Sequence, residues 1–189
     1  MNRIDNEHFY HSGIVKYGFT PEGLRWNSRE SQEIRFFQLL SLLPLDALSV
    51  VDAGCGFADL FSYIRSQRNS IDYTGLDSLE IMVQEASRRT GARINRCDIL
   101  IDPLPHGEFY LCSGALNILT RNAAYRFIER CYRASSRGLV FNFLEGNKES
   151  NTFNYLQESD IKYLGERLGA RVVFRRHYYE NDCTAAFYK

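Results

Sequence analysis

The sequence predicts one α/β domain in which helices cover both faces of a mostly parallel sheet. Seven short apolar or alternating runs, bounded by turn residues, are separated by segments with helical spacing. The run 138–144 is almost entirely apolar, which is typical of a strand buried on both faces. With 189 residues, of which 44% are hydrophobic and 24% charged, the chain is long enough for such a layered core.

Composition narrows the possible partners and compartments. The 23 basic residues balance the 23 acidic residues, so no overall field attracts nucleic acid or an acidic membrane, and we expect neither as a partner. No signal peptide and no apolar run of membrane-spanning length is present. The five cysteines are odd in number and lack a CxxC pair, which indicates reduced thiols and a cytoplasmic location.

The N-terminal segment differs in character from the rest of the chain. Residues 1–26 are polar and aromatic without a clear period, which predicts an irregular arm. A helix follows, with Asn27 as a plausible N-cap, apolar Phe36 and Leu39 on one face, and Pro44 as its stop. Its other flank carries Arg29 and Gln32, and the simplest interpretation of that flank, which continues to Arg35, is a solvated face.

A glycine turn follows the first predicted strand. The apolar pair Val50-Val51 leads into Asp52, and Gly54 and Gly56 then allow a tight turn on which a ligand can lie close to the backbone. The dinucleotide fingerprint needs a third glycine where this chain has Asp59. Two carboxylates would repel a diphosphate and suit a cationic ligand. The run Asp52-Ala53-Gly54-Cys55-Gly56 resembles motif I of the class I S-adenosylmethionine-dependent methyltransferases.

The next two strands each lead to an acid. Asp77 lies 21 positions beyond Gly56, where a carboxylate can accept hydrogen bonds from both ribose hydroxyls, or can act as the N-cap of the helix that starts near Ser78. Asp98 and Ile99 follow the third strand. The resemblance implies that Asp98 accepts from the adenine amine and that Ile99 packs on the ring. The alternative role for Asp98 is a loop cap.

The fourth strand and its loop, 108–117, occupy the motif IV position. Methyltransferases that act on exocyclic amines of nucleic-acid bases typically carry Asn/Asp-Pro-Pro-aromatic there. This chain has Ser113-Gly114-Ala115-Leu116 instead, which disfavours that class. The resemblance implies that Ser113 contacts the methionine part of the cofactor. Asn117 could face the substrate or cap a turn, and the sequence does not choose between the two.

The remaining elements complete the predicted sheet. A helix over 122–133 precedes the fifth strand, and a long polar loop, 145–157, is in the position that carries specificity in open α/β sheets. A last helix ends at Gly169, and strands over 171–176 and 183–188 follow. The resemblance implies that the final strand is antiparallel and that the connection 177–182 reaches the active-site rim. His177 and Tyr179 are weak candidates there, with a polar hairpin turn as the alternative.

Together these features predict a doubly wound, mostly parallel, seven-stranded Rossmann-like methyltransferase sheet with an N-terminal helical arm. Residues 46–189 form the predicted S-adenosylmethionine domain, and residues 1–45 pack on or over its site within one globular unit. Proteins of this kind use a helix and an aromatic residue as a lid, for which Tyr17 is the candidate. The segments Lys16-Tyr17-Gly18 and Trp26-Asn27-Ser28-Arg29-Glu30-Ser31-Gln32 are similar to a small bacterial subgroup.

The predicted function is transfer of a methyl group from S-adenosylmethionine to a small molecule. The alternatives are a non-catalytic S-adenosylmethionine-binding or regulatory protein and an NAD-dependent oxidoreductase. The four histidines show no metal-ligand spacing, so no metal is predicted. The weak catalytic candidates are His177, Tyr179 and Asn117. The predicted cofactor-binding residues are Tyr17, Asp52, Gly54, Cys55, Gly56, Asp77, Ser78, Asp98, Ile99 and Ser113.

Overall fold

A computed structural model describes residues 5–67 and 71–189, so residues 1–4 of the predicted arm lie outside the described residues. Within those ranges, helices and strands alternate as the sequence predicts. The helices are α1 Asn6–Tyr17, α2 Arg29–Leu42, α3 Asp59–Gln67, α4 Glu80–Thr90, α5 Arg121–Ala134 and α6 Glu158–Arg167. The strands are β1 Ser49–Ala53, β2 Asp72–Asp77, β3 Arg93–Arg96, β4 Gly107–Cys112, β5 Ser135–Glu145, β6 Tyr155–Leu156, β7 Arg171–Arg175 and β8 Asp182–Tyr188. Short 3₁₀ helices cover Glu22–Leu24 and Ala115–Ile118.

The strands form one sheet in the order β3-β2-β1-β4-β5-β8-β7. Strands β1 to β5 pair in parallel, whereas β8 runs antiparallel to both β5 and β7, as the resemblance implies for the last strand. All seven predicted strands are present. The two-residue strand β6, which lies in the predicted polar loop and pairs with β5, adds an eighth. The strand order reverses between β1 and β4, which opens a crevice at their carboxyl ends.

Both faces of the sheet are covered, because neighbouring residues on a strand point to opposite sides. On one face Val50 packs with residues of α2 and α3, including Leu39 and Leu60. On the other face Val51 packs with residues of α5 and α6, including Phe127 and Ile161. This arrangement confirms the predicted α/β class. No helix in the described ranges combines the length and the apolar character that crossing a membrane requires.

The N-terminal arm is helical where the sequence predicted an irregular segment. Helix α1 begins after Asp5, whose carboxylate accepts a hydrogen bond from the amide of His8. The helix packs tightly on the 3₁₀ helix, since a Cβ on Gly13 would lie 2.4 Å from the carbonyl oxygen of Gly23. This contact holds α1 in place although its sequence lacks a continuous apolar stripe.

Helix α2 corrects two further expectations. Its N-cap is Ser28 rather than Asn27, and the side chains of Ser28 and Ser31 form a reciprocal capping box. The polar flank is not solvated throughout, because Gln32 and Arg35 are buried. Gln32 Nε2 donates to Asp59 Oδ2 at 3.0 Å, and Arg35 forms an ion pair with the buried Asp182. These partners compensate the cost of burying polar side chains.

Candidate functional site

A pocket lies at the carboxyl edge of β1 to β4, beneath the N-terminal arm. Nine of the ten predicted cofactor residues line it, so four separate strand ends bring the predicted side chains together. They are Asp52, Gly54, Cys55, Gly56, Asp77, Ser78, Asp98, Ile99 and Ser113.

The glycine turn after β1 has backbone angles that only glycine adopts without strain. Gly54 and Gly56 have φ values of 78° and 54°. The amides of Gly54 and Cys55 both donate to the carbonyl oxygen of Leu76, at 2.8 and 2.9 Å. A Cβ on Gly54 would lie 2.6 Å from the Cβ of Ala115. The turn is therefore fixed against β2 and closely packed, as a ligand cradle requires.

Asp77 braces this turn from the end of β2. Its Oδ2 accepts from the amide of Gly56 at 2.9 Å, and its Oδ1 accepts from the amide of Leu79 at 3.0 Å, just before α4. Burial raises the pKa of the Asp77 carboxyl. Each oxygen has a further lone pair, so the carboxylate can hold the helix start and still accept from a ligand.

The third acid, Asp98, is part of a tight turn. Its Oδ1 accepts from the amide of Leu100 at 2.9 Å, which is the loop-cap arrangement that the sequence offered as an alternative. Asp98 also lines the pocket beside the buried side chain of Ile99. Arg130 Nε donates to the carbonyl oxygen of Ile99 at 2.6 Å and fixes the loop from α5.

Asp52 lies deeper, at the end of β1. Its side chain is buried and accepts a hydrogen bond from the hydroxyl of Tyr73 at 2.6 Å. Burial raises the pKa of Asp52 to about 7, although the bond from Tyr73 opposes this shift. The pocket floor therefore carries a carboxyl group that exchanges its proton near neutral pH.

Ser113 leads into a buried polar chain that the sequence analysis did not identify. Ser113 Oγ donates to Asn142 Oδ1, and Asn142 Nδ2 donates to Thr184 Oγ1, both at 2.8 Å. Tyr178 shares a hydrogen bond with Thr184. The signal was present, since Asn142 interrupts an apolar strand and a buried amide needs partners. Because Ser113 donates to Asn142, its oxygen lone pairs remain available to the pocket.

Tyr17, the predicted lid residue, does not line the pocket. It lies on the same face of α1 as Tyr10 but two helical turns further along, about 10 Å away by helix geometry, and its side chain is 43% exposed. The pocket is covered instead by Phe9 and Tyr10 of α1 together with Leu24 and Trp26. Burial raises the pKa of the Tyr10 phenol, and the nearby Asp77 contributes to the shift.

The residues after α1 contact the glycine positions directly. A Cβ on Gly56 would lie 3.1 Å from Leu24 Cδ1, and a Cβ on Gly114 would lie 3.0 Å from two ring carbons of Trp26. Arg35 stacks on the Trp26 ring, with its guanidinium carbon 5.0 Å from the ring centroid. The arm is thus part of the pocket wall.

Several polar atoms of the pocket residues have no partner within the described part of the protein. Gln32 is the clearest case: its side chain is buried, its amide nitrogen is bonded to Asp59, and its Oε1 is left without a donor. The other unpartnered buried atoms on pocket residues are Asn6 Oδ1, Arg25 Nε and Asn117 Oδ1. An unpartnered buried polar atom costs free energy, so these atoms favour a polar ligand in the pocket.

Two of the three catalytic candidates lie outside the pocket. His177 is exposed in the β7–β8 connection, with a φ of 60°. Tyr179 packs on Arg35, and its hydroxyl accepts from Asn27 Nδ2 at 3.4 Å. His177 thus lies in the exposed connection between β7 and β8, and Tyr179 contacts the arm. Asn117 lines the pocket.

One group of side chains could offer ligands to a metal ion. Oxygen and sulfur atoms of Glu145, Glu158 and Cys183 lie within 4.8 Å of one another, outside the pocket. The guanidinium of Arg176 already pairs with Glu158. That ion pair is sufficient to explain why the carboxylate lies there.

Comparison with known proteins gives the same architecture. No protein-family profile matches the chain. A Mycobacterium tuberculosis protein named "Putative methyltransferase Rv1506c" is 28% identical over 116 residues, which cover 56% of this chain and 69% of that protein.

Two solved structures illustrate the likeness. Magnesium protoporphyrin IX methyltransferase from Synechocystis PCC 6803, with bound S-adenosylhomocysteine, superposes with a TM-score of 0.68 at 17% identity over 85% of this chain and 82% of its own. Human N-acetylserotonin methyltransferase, in complex with S-adenosylmethionine, gives 0.75 at 15% identity over 97% of this chain and 58% of its own. The chain has the fold of the class I S-adenosylmethionine-dependent methyltransferases.

Proposed function

We propose that the protein binds S-adenosylmethionine and transfers its methyl group to a small molecule. The main support for this proposal is that three acidic residues at or near the ends of neighbouring strands line the same pocket as the glycine turn. Asp52 lies near the end of β1, Asp77 is the last residue of β2 and Asp98 comes just after β3. Each lines the pocket together with Gly54 and Gly56.

The residues at the β2 and β3 side fit an adenosine. Asp77 offers free lone pairs to ribose hydroxyls while its backbone partners hold it still. Asp98 offers a hydrogen-bond acceptor to the adenine amine, and the buried Ile99 offers an apolar side chain for the adenine ring to pack on. The matched relatives with bound cofactor support this assignment, since their fold is the same.

The residues at the β1 side fit a cationic amine. The carboxyl groups of Asp52 and Asp59 and the unpartnered Oε1 of Gln32 all belong to residues that line the pocket, and Asp59 also pairs with Arg89. Three oxygen acceptors suit an ammonium group, which carries three donors. A diphosphate would be repelled by the same carboxylates.

The bound cofactor would supply an activated methyl carbon: a lone pair of the acceptor bonds to that carbon, and the carbon–sulfur bond breaks with its electron pair left on sulfur. The protein's own contribution is placement, since holding the reacting atoms in near-attack geometry can provide most of the acceleration. Leu24 and Trp26 lie over the glycine positions and keep water from this region.

In this proposal residues 1–45 cover the cofactor and residues 46–189 bind it. The 3₁₀ helix Glu22–Leu24 and Trp26 form the cover, with Phe9 and Tyr10 of α1 in place of Tyr17. The dinucleotide-binding alternative is disfavoured by the antiparallel β8 between β5 and β7, which its strand order 3-2-1-4-5-6 lacks.

A small-molecule acceptor is supported by the cover that the arm forms over the pocket and by the zero net charge of the chain. The matched relatives named for magnesium protoporphyrin IX and N-acetylserotonin act on small molecules, which supports the same class here. The test is an assay with S-adenosylmethionine tritiated in its methyl group and a cell extract split into fractions above and below 1 kDa. Label in the small fraction supports the proposal. Label only in macromolecules, or none above a no-enzyme control, contradicts it and, in the second case, favours a non-catalytic binder.

A further inference from the structure

We infer that the acceptor is a neutral aromatic molecule that carries a hydroxyl or amino group. This inference rests on the proposed function and concerns the end of the pocket beside the 3₁₀ helix Ala115–Ile118. This 3₁₀ helix comes after β4 in the chain. The acids assigned to adenosine lie at the carboxyl ends of β2 and β3, which are on the other side of β1 in the sheet.

Three side chains gather around this 3₁₀ helix. The ring of Trp26 packs on Gly114, and the amide of Asn117 donates to the carbonyl oxygen of Gly114 at 3.1 Å. The amide of Asn154 donates in turn to the carbonyl oxygen of Asn117 at 2.6 Å, which brings the neighbouring Phe153 to the same end. Trp26, Asn117 and Phe153 all line the pocket. We call these three residues the acceptor end.

The aromatic side chains of the acceptor end favour a flat ligand. Aromatic rings prefer offset or edge-to-face contacts with other rings, and such contacts add to the gain from burying apolar area. The ring of Trp26 is held in place by Gly114 on one side and by the Arg35 guanidinium, 5.0 Å from its centroid. Phe153 is 38% exposed, so the acceptor end reaches solvent and a ligand can enter there.

Two polar atoms of the same region are acceptors without a donor from the described part of the protein. Asn117 Oδ1 is buried and has no donor within the described part of the chain. Ser113 donates its hydroxyl hydrogen to Asn142, so it offers lone pairs to the pocket. A ligand with an O–H or N–H group would satisfy these acceptors, whereas a ligand without a donor would leave them unpaired.

The charges of the pocket disfavour an anionic acceptor. Its lining includes four acidic residues, Asp52, Asp59, Asp77 and Asp98, and one basic residue, Arg25. Of the four acids, Asp59 also forms an ion pair with Arg89. Arg25 Nη2 is committed to α1, where it donates to the carbonyl oxygen of Phe9 and to the hydroxyl of Ser12. A carboxylate or phosphate on the acceptor would therefore meet more acidic than basic side chains. In the transfer the acceptor's oxygen or nitrogen bonds to the methyl carbon, the electron pair of the broken bond stays on sulfur, and the acceptor's proton goes to solvent water.

The test compares three naphthalene probes of similar size: 2-naphthol, which is neutral and carries a donor; 2-naphthoate, which is anionic; and 2-methoxynaphthalene, which lacks a donor. The chain contains a single tryptophan, Trp26, so one indole N–H cross-peak of the ¹⁵N-labelled protein reports binding at the acceptor end. Titrations are made with saturating S-adenosylhomocysteine and repeated without it. We expect 2-naphthol to bind about tenfold more tightly than either other probe.

Two variants test whether Asn117 is responsible for the tighter binding of 2-naphthol. Asn117→Leu should bring the affinities for 2-naphthol and 2-methoxynaphthalene to within about twofold of each other, because it removes the acceptor that distinguishes them. The control variant Asn151→Leu alters an exposed asparagine and should bind 2-naphthol with the same preference as the unaltered protein. Equal or tighter binding of 2-naphthoate, no shift of the Trp26 cross-peak with any probe, or an unchanged preference in Asn117→Leu overturns the inference. Calorimetry with S-adenosylmethionine on the same samples tests the proposed function separately, since it measures cofactor binding with no acceptor probe present.

Discussion

The carboxylate of Asp77 accepts a hydrogen bond from the amide of Gly56 at 2.9 Å and so ties the end of β2 to the glycine turn after β1. The residue thought to hold the ribose thus also shapes the turn on which the cofactor would lie. Because of these two roles, we expect removal of the carboxylate to lower the affinity for the ligand more than it lowers the stability of the fold.

Asp77→Ala should lower the affinity for S-adenosylmethionine about 10- to 100-fold, because a charge-assisted partner is lost and the Gly56 amide is left without an acceptor. Calorimetric titration of the variant measures this loss. Asp72→Ala, at the exposed start of the same strand, is the matched control and should bind normally. Unchanged affinity in Asp77→Ala would exclude the ribose assignment.

Two glycines with similar backbone angles distinguish the effect of backbone strain from the effect of a clash between a new Cβ and a neighbouring residue. Gly54 and Gly169 have nearly equal φ values of 78° and 75°, but a Cβ would meet Ala115 at Gly54 and open space at Gly169. Each alanine substitution should lower the free energy of unfolding by about 1 kcal/mol through strain. Gly54→Ala should lose more than Gly169→Ala, because its Cβ would clash with Ala115, and it should in addition abolish measurable cofactor binding. Urea denaturation and calorimetry measure the two effects. Normal binding by Gly54→Ala would mean that the turn is not the cradle.

The raised pKa of Asp52 predicts a pH dependence of stability. The folded protein holds a proton on this carboxyl up to about pH 7, whereas the unfolded chain releases it near the ordinary value of 3.8. The folded state therefore binds more protons between these values, and the free energy of unfolding falls as the pH rises from about 4 to 7 and then levels off. A shift of this size corresponds to about 4 kcal/mol.

Asp52→Asn should reduce that slope without removing it, since burial also raises the pKa of Asp77. Urea denaturation at pH 5 and pH 7.5 gives the comparison. Identical slopes in the variant and the unaltered protein would show that Asp52 ionises normally in the folded state.

The buried ion pair between Arg35 and Asp182 joins α2 to the start of β8, 147 positions along the chain. Asp182→Asn should lower the free energy of unfolding by about 3 kcal/mol, because it leaves a buried guanidinium without its counter-charge. Glu33→Gln, which alters the exposed pair with Arg29, is the control and should change stability little. The double variant Arg35→Leu with Asp182→Leu should recover part of the loss. Equal effects of Asp182→Asn and Glu33→Gln would refute the assigned role.

The features that local sequence determines were predicted well. The glycine turn, the three strand-end acids and the antiparallel last strand depend on residue types within a few positions of one another, or on the resemblance that these carry. Helix α1 was missed because its sequence lacks an apolar stripe, while the helix packs on later residues through contacts such as that between Gly13 and Gly23. Tyr17 was placed over the pocket because the sequence did not reveal this helix.

The partners of buried polar residues could not be predicted for a similar reason. Gln32 bonds to Asp59, 27 positions away, and Arg35 pairs with Asp182. Judged from the sequence alone, both polar side chains are typical of a solvent-exposed helix face. Only the packing of α2 against α3 and the sheet decides that they are buried.

The most direct measurement is calorimetric titration of the purified protein with S-adenosylmethionine, S-adenosylhomocysteine and NAD. The pocket of Asp52, Asp77 and Asp98 predicts micromolar binding of the two sulfur ligands and no detectable binding of NAD. Tight binding of NAD, or the absence of binding by either sulfur ligand, would contradict the account.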